Sequence, residues 1–253
     1  AVLGHEVLFF PDYETLPWEE EPAHQGVVSD RVECLAGLLS SDPGTLVVVP
    51  AAALTKKLPP PGSFPVKTLE RGMEIPMDEL EGWLVSAGYS RESSVFEQAR
   101  WSRRGGIIDV GTFGMDNPVR IEFSGDTVSS IRVFDQRSQR SIRETDCAVL
   151  LPAREVFISP DQWNRAIERI PESHPLAEKL WSPDSFPGIE HHLPVFFEGE
   201  LATLFDYLPS IGTLILAEPE RIAVHLSETI DMRRENFCEE GGLPFDSEDV
   251  FAL

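Results

Sequence analysis

Between residues 103 and 135 the chain alternates as a half-buried sheet does. Val119, Ile121 and Phe123 interleave with Arg120, Glu122 and Ser124, the period of a strand with one apolar and one polar face. Ser124-Gly125-Asp126 interrupts the pattern, and Gly and Asp suit a tight hairpin. Ile131 and Val133 then resume the apolar face with Arg132 between them. The pattern predicts a small antiparallel sheet whose polar face carries Arg120 and Arg132, with Arg103 and Arg104 entering from the preceding strand. A solvated sheet face and a docking surface both fit it. Arginine brings a planar fork of donors and is enriched at binding hot spots.

The flanking pattern is different. Residues 6–10 form a short apolar strand, and Ser29 is placed to cap a helix running to about residue 39, with Val32, Leu35, Leu38 and Leu39 on one face. Residues 46–50 make a continuous apolar strand, of the kind buried on both faces of a parallel sheet. Strand, helix, strand opens an α/β layer. Pro59-Pro60-Pro61-Gly62 is a stiff break. Residues 77–87 follow as a helix with Leu80, Trp83, Leu84 and Ala87 on one face and Gly88 to end it. After the sheet, Leu151-Pro152 marks a second break. Ser159-Pro160-Asp161-Gln162 is a capping-box start, with Trp163, Ala166, Ile167 and Ile170 recurring until Pro171. Residues 193–197 and 213–216 have the look of buried strands, and a final helix runs from Glu218-Pro219 to about residue 236, with Ile222, Leu226 and Ile230 in register. The pattern predicts one α/β domain, residues 1–62 and 151–253, interrupted by an inserted α+β module, residues 63–150.

Charge sharpens that division. The net charge is −22, yet residues 67–146 hold 11 of the 21 basic residues against 14 acidic ones. A nearly neutral, Arg-rich segment between acidic flanks points to a domain with its own partner. Nucleic acid would be repelled by the chain as a whole, because phosphate binding needs clustered Lys and Arg. No run approaches the roughly 18 apolar residues of a membrane helix. Three widely separated cysteines without a C-x-x-C fit a reducing cytoplasm. No signal-peptide pattern opens the chain, and a start at Ala1 fits a segment of something longer.

Catalytic signatures are sparse. Neither G-x-x-x-x-G-K-[ST] nor G-x-G-x-x-G occurs, and no G-x-S-x-G elbow. Gly105-Gly106 precedes a strand rather than a helix, the wrong order for a phosphate loop. Glu190-His191-His192 is a poor metal candidate, since adjacent histidines on an extended segment point opposite ways. No cofactor and no metal ligand set is expected.

A series of segments carries a resemblance: Phe10-Pro-Asp-Tyr-Glu-Thr-Leu-Pro17, Arg104-Gly105 leading into Ile107-Ile108-Asp109, Arg120-Ile-Glu-Phe123, Ser130-Ile-Arg-Val-Phe-Asp135, Gly188-Ile-Glu-His191, Leu193-Pro-Val-Phe-Phe197 and Leu204-Phe-Asp-Tyr-Leu-Pro209. Together, and in this order, they resemble the N-terminal UvrB-like module of the bacterial transcription-repair coupling factors. The resemblance implies a degenerate P-loop-type α/β domain split by an inserted α+β domain. It implies that the inserted domain binds the damage-recognition protein UvrA, with docking positions on Arg104 and Arg120 and further candidates Phe123, Ser124 and Arg132. Ser124 stands where the family commonly has Phe, and the adjacent Phe123 is a candidate substitute. RNA polymerase and DNA are implied as partners only of regions outside this chain. Two departures separate the chain from UvrB itself. The stretch after Tyr13 is short and acidic, with Glu19, Glu20 and Glu21, where UvrB has a tyrosine-bearing hairpin. Ala217 precedes Glu218 where UvrB has an Asp-Glu magnesium pair, and a lone Glu is a poor magnesium site. The resemblance thus implies an interaction module without ATPase activity; the alternative is a nucleotide- or DNA-dependent domain of a UvrB-like helicase-fold enzyme.

Overall fold

The computed structural model describes residues 7–13, 23–40, 45–181, 186, 188–199, 201–209, 212–239 and 247–250. Glu19, Glu20 and Glu21 lie outside them. The chain is a mixed α/β protein and divides into two compact units, one of residues 1–63 with 158–253 and one spanning residues 64–157.

The first unit opens with β1 (Val7–Phe9), α1 (Gln25–Leu39) and β2 (Leu46–Val48), and β1 pairs with β2 in parallel. Val32, Leu35 and Leu38 of α1 are buried, whereas Leu39 is exposed. The cap is His24, whose Nδ1 accepts from the Gly26 amide; Ser29 lies inside the helix and donates to Glu33. β2 is not buried on both faces: Leu46 and Val48 are exposed, because among the described residues its sheet has only two strands. The Phe10-Pro11-Asp12-Tyr13 segment after β1 packs on two buried arginines. Arg31 lies between the Phe10 and Tyr13 rings, 4.0 and 4.2 Å from their centroids, and donates to the Pro11 carbonyl. Arg233 donates to the Asp12 carboxylate at 2.8 Å.

The second unit runs β3 (Lys67–Glu70), α2 (Met77–Ser86), β4 (Ser90–Arg91), β5 (Arg100–Arg104), β6 (Ile107–Gly111), β7 (Val119–Ser124), β8 (Thr127–Phe134), β9 (Ser141–Thr145) and β10 (Cys147–Leu150). Strands β4 to β9 form one six-stranded sheet in sequence order, antiparallel except for the β4–β5 pair. Consecutive hairpins build it, and Gly105 and Gly125 supply the positive φ of two of the turns. One face of the sheet buries Trp101, Ile108, Val110, Val119, Ile121 and Ile131 against Leu80 and Leu84 of α2. Gly88, at φ +88°, ends that helix as its sequence predicts. On the opposite face the 92–98 connection crosses so closely at Gly111 that a Cβ there would meet the Glu97 carbonyl. β3 pairs with β10, Glu70 opposite Cys147, so the two ends of the unit run side by side.

The unit continues past residue 150. Leu151 donates its amide to Thr112 and accepts from the Tyr89 hydroxyl, Ala153 donates to Ala87, and the Phe157 ring meets Phe64 edge-on at 6.4 Å. A fragment of residues 64–157 is expected to unfold in one cooperative step in urea, and one ending at residue 150 to be clearly weaker. A gradual melt of the longer fragment would refute its independence.

The chain then returns to the first unit through α3 (Pro160–Arg169), α4 (Pro175–Leu180), α5 (Leu193–Phe197), α6 (Pro219–Glu239) and α7 (Ser247–Val250). The capping box forms as its sequence predicts, with Ser159 and Gln162 bonding each other's backbone amides. Trp163 donates to the Leu180 carbonyl and stacks on Phe196. Residues 193–197 are a buried helical turn rather than a strand, with Pro194 in its first turn, where its missing N–H costs nothing. Residues 213–216 form no strand either, and Leu214, Ile215 and Leu216 are exposed. His191 closes a 3-10 turn rather than lying on an extended segment. Burial keeps both His191 and His192 neutral, the latter pushed down to about 3.

Candidate functional site

Alternation assigns each strand residue of the six-stranded sheet to a face. Val119 and Ile121 point into the core, so Arg120 and Glu122 belong to the other side. The ladder carries that side across the sheet: Ser102 opposite Asp109, Asp109 opposite Arg120, Arg120 opposite Arg132, Arg132 opposite Glu144. Arg104, two residues beyond Ser102, shares this face. Arg103 does not. It lies on the helix side, bonded to Asp78 at 3.0 Å and to Glu81 of α2, which correct its expected place on the polar face.

The face is a chain of paired charges. Asp109 is 1% exposed and accepts from Arg120 Nε at 2.7 Å, Arg120 Nη2 at 2.9 Å and Arg104 Nη2 at 2.8 Å. Three charge-assisted bonds offset the loss of water around a buried carboxylate. Arg132 bonds Glu122 at 3.0 Å, and Glu122 also accepts from Ser130. Arginines directly opposite one another would repel. Here each has its own acid.

Arg120 is less outward than alternation alone implies. Its side chain is 14% exposed, its guanidinium lies 4.4 Å above the Phe134 ring, and Gln139 accepts from both Nη atoms at 3.4 Å. The Asp109 bonds raise its pKa above the ordinary arginine value, so it stays charged. Arg104 is half exposed and Arg132 38% exposed. Ser124 is exposed at the hairpin end of β7. Phe123 packs partly against the core of the sheet, on the side away from Arg104, Arg120 and Arg132. Three of the five candidates therefore share one face. Asp109 and Glu122 were missed as functional groups; a single acid flanked by apolar residues in an alternating strand was the signal available.

The alternative, a nucleotide site, draws less from the geometry. Ala217 and Glu218 border an open groove with Ala51, Arg221, Ile222 and His225. The Glu218 carboxylate is taken up by Arg221 at 2.6 Å. Among the described residues no group of three or more His, Cys, Asp or Glu side chains is placed to hold a metal, and no helix is long and apolar enough to cross a membrane.

Residues 68–156, which include the whole six-stranded sheet, match the UvrB interaction domain family. The chain is 34% identical over 219 residues to the transcription-repair-coupling factor of Haemophilus influenzae, covering 81% of this chain and 19% of that protein. It is 30% identical to that of Escherichia coli, over 83% of this chain and 19% of the relative, and 31% identical to that of Bacillus subtilis, over 95% and 22%. The chain thus spans about a fifth of the length of these relatives. Over the part that it spans, with a UvrB interaction domain at residues 68–156, it belongs to the transcription-repair-coupling factor family.

Proposed function

We propose that this chain is a protein-interaction module that recruits UvrA to stalled RNA polymerase in nucleotide excision repair, using the polar face of its six-stranded sheet. The single observation that carries this reading is the ordered array of Arg104, Asp109, Arg120, Arg132 and Glu122 inside the segment that matches the UvrB interaction domain. Oriented guanidiniums beside carboxylates suit a partner surface of mixed charge, because complementary charge favours the right partner and penalises the wrong one. RNA polymerase and DNA are assigned to regions of the longer factor outside this chain. The first unit is assigned as a degenerate P-loop-type domain split by the insertion, without ATPase activity of its own. Ala217 in the magnesium position and the Glu218–Arg221 pair support that assignment.

Calorimetry with purified UvrA tests the binding, and the 253-residue chain is expected to bind it. Parallel titration with ATP and magnesium, and an assay of hydrolysis, are expected to give background only. ATP turnover abolished by Glu218→Ala would replace this reading with the enzymatic one.

A further inference from the structure

The two arginines that share Asp109 are in unlike states. Arg120 has every guanidinium nitrogen committed inside its own unit: Nε and Nη2 to Asp109, and Nη1 and Nη2 to Gln139, with Phe134 beneath. It offers no open edge. Arg104 makes one bond, from Nη2 to Asp109 Oδ2, and its Nε and Nη1 have no hydrogen-bond partner among the described residues. Its side chain is half exposed. Two guanidiniums share one carboxylate, so a unit of positive charge is left over, and it lies on the exposed member.

We propose that Asp109 is a positioning residue for docking: pinned by Arg120, it holds the Arg104 guanidinium by one edge so that the other edge meets a carboxylate of the partner. This rests on the UvrA reading above. An arginine is recognised bidentately through two parallel N–H donors; with one Nη2 hydrogen on Asp109, the second Nη2 hydrogen together with the neighbouring Nε–H or Nη1–H leaves such a fork for an acid. Ordering a long side chain before the partner arrives removes part of the entropy cost of binding. Direct contact by Arg120 would require it to leave Asp109, stripping a carboxylate that is 1% exposed of two of its three charge-assisted bonds. Arg120 therefore acts through Asp109 and Arg104 rather than on the partner itself.

A double-mutant cycle in calorimetry with UvrA separates these roles. Arg104→Ala is expected to weaken binding by at least roughly 30-fold, the loss of a docked charge. Arg120→Gln and Asp109→Asn are each expected to weaken it by about 10-fold, less than removal of the contacting group. In the Arg104→Ala background both should change Kd by less than about two-fold, since the group they position is already gone. Losses that multiply in the double variants would overturn the proposal and make Arg120 a contact residue. Gln keeps an amide donor for Asp109, so the Arg120→Gln arm decides alone if Asp109→Asn does not fold. If the unsubstituted chain does not bind UvrA, the functional reading fails by itself. The Nε–H order of Arg104, followed by NMR, then decides the positioning claim: it falls with Arg120→Gln if Asp109 holds Arg104, and an unchanged signal refutes it.

Discussion

Asp109→Ala is expected to lower the stability of the sheet unit by about 3–5 kcal/mol, the cost of leaving one partner of a buried pair uncompensated. The group left behind is Arg120, largely buried and over the Phe134 ring, where water cannot replace the carboxylate. Arg104→Ala should cost well under about 1 kcal/mol, because half-exposed pairs contribute little. The sign of the pair's net contribution is a separate matter. Replacing both members with apolar groups, Asp109→Leu with Arg120→Met, should recover most of the loss, since no charge is then stranded. Urea unfolding of the 64–157 fragment measures all three. A loss below about 1 kcal/mol for Asp109→Ala would mean that the arginines relax to solvent and that the pair is not rigid.

Lys56 gives the second large effect, in the other unit. Its ammonium is buried 4.6 Å above the Tyr13 ring, near Arg31 and Arg233. Burial first, and then the Arg233 guanidinium, push its pKa from 10.5 down to about 7; Asp12 and Glu190 oppose the shift and Arg31 adds to it. The unfolded chain thus binds the proton more tightly than the folded one. Stability should rise with pH from about 7 to 10.5 and stay flat below, a change on the order of 5 kcal/mol at one pKa unit per 1.36 kcal/mol. The ring face favours the charged form, by up to about 2 kcal/mol when desolvated, which reduces but does not cancel the shift. Lys56→Met should therefore stabilise the chain at pH 7 and lose its advantage as the pH rises. Denaturation of both proteins at pH 7 and pH 9.5 checks this. Parallel pH profiles would show that Lys56 is not the titrating group.

What was legible in the sequence was local. The Ser159 capping box, the Gly88 helix end and the Gly125 hairpin each depend on two to four adjacent residues, and each formed as written. The alternation through β7 and β8 put Arg120 and Arg132 on the correct side. The misreadings came where distant chain decides. A run such as Leu193-Pro-Val-Phe-Phe197 is apolar on every side and has no period to separate a strand from a buried helical turn. Residues 213–216 are apolar enough for a strand, but a strand needs a partner, and among the described residues they have none. The burial of Arg120 depends on Phe134 at the end of β8 and on Gln139, which the β8–β9 connection brings over it and alternation cannot register. Asp109 was in view as part of a motif, yet its meaning lay in two arginines on two other strands.

The pairing of β3 with β10 bears on the rest of the chain. A flexible loop as long as residues 64–157 would cost its host about 4 kcal/mol of closure entropy, by the logarithmic dependence on length. Folded, the insertion brings its own ends together, with Glu70 opposite Cys147 and Phe64 against Phe157. The host chain then meets only a short bridge, and most of that entropy is charged to the folding of the insertion. If the sheet unit melts, the bridge becomes a long loop and the host loses stability even with its own internal contacts unchanged. The covalent connection thus lets the folding of the insertion set part of the host's melting point.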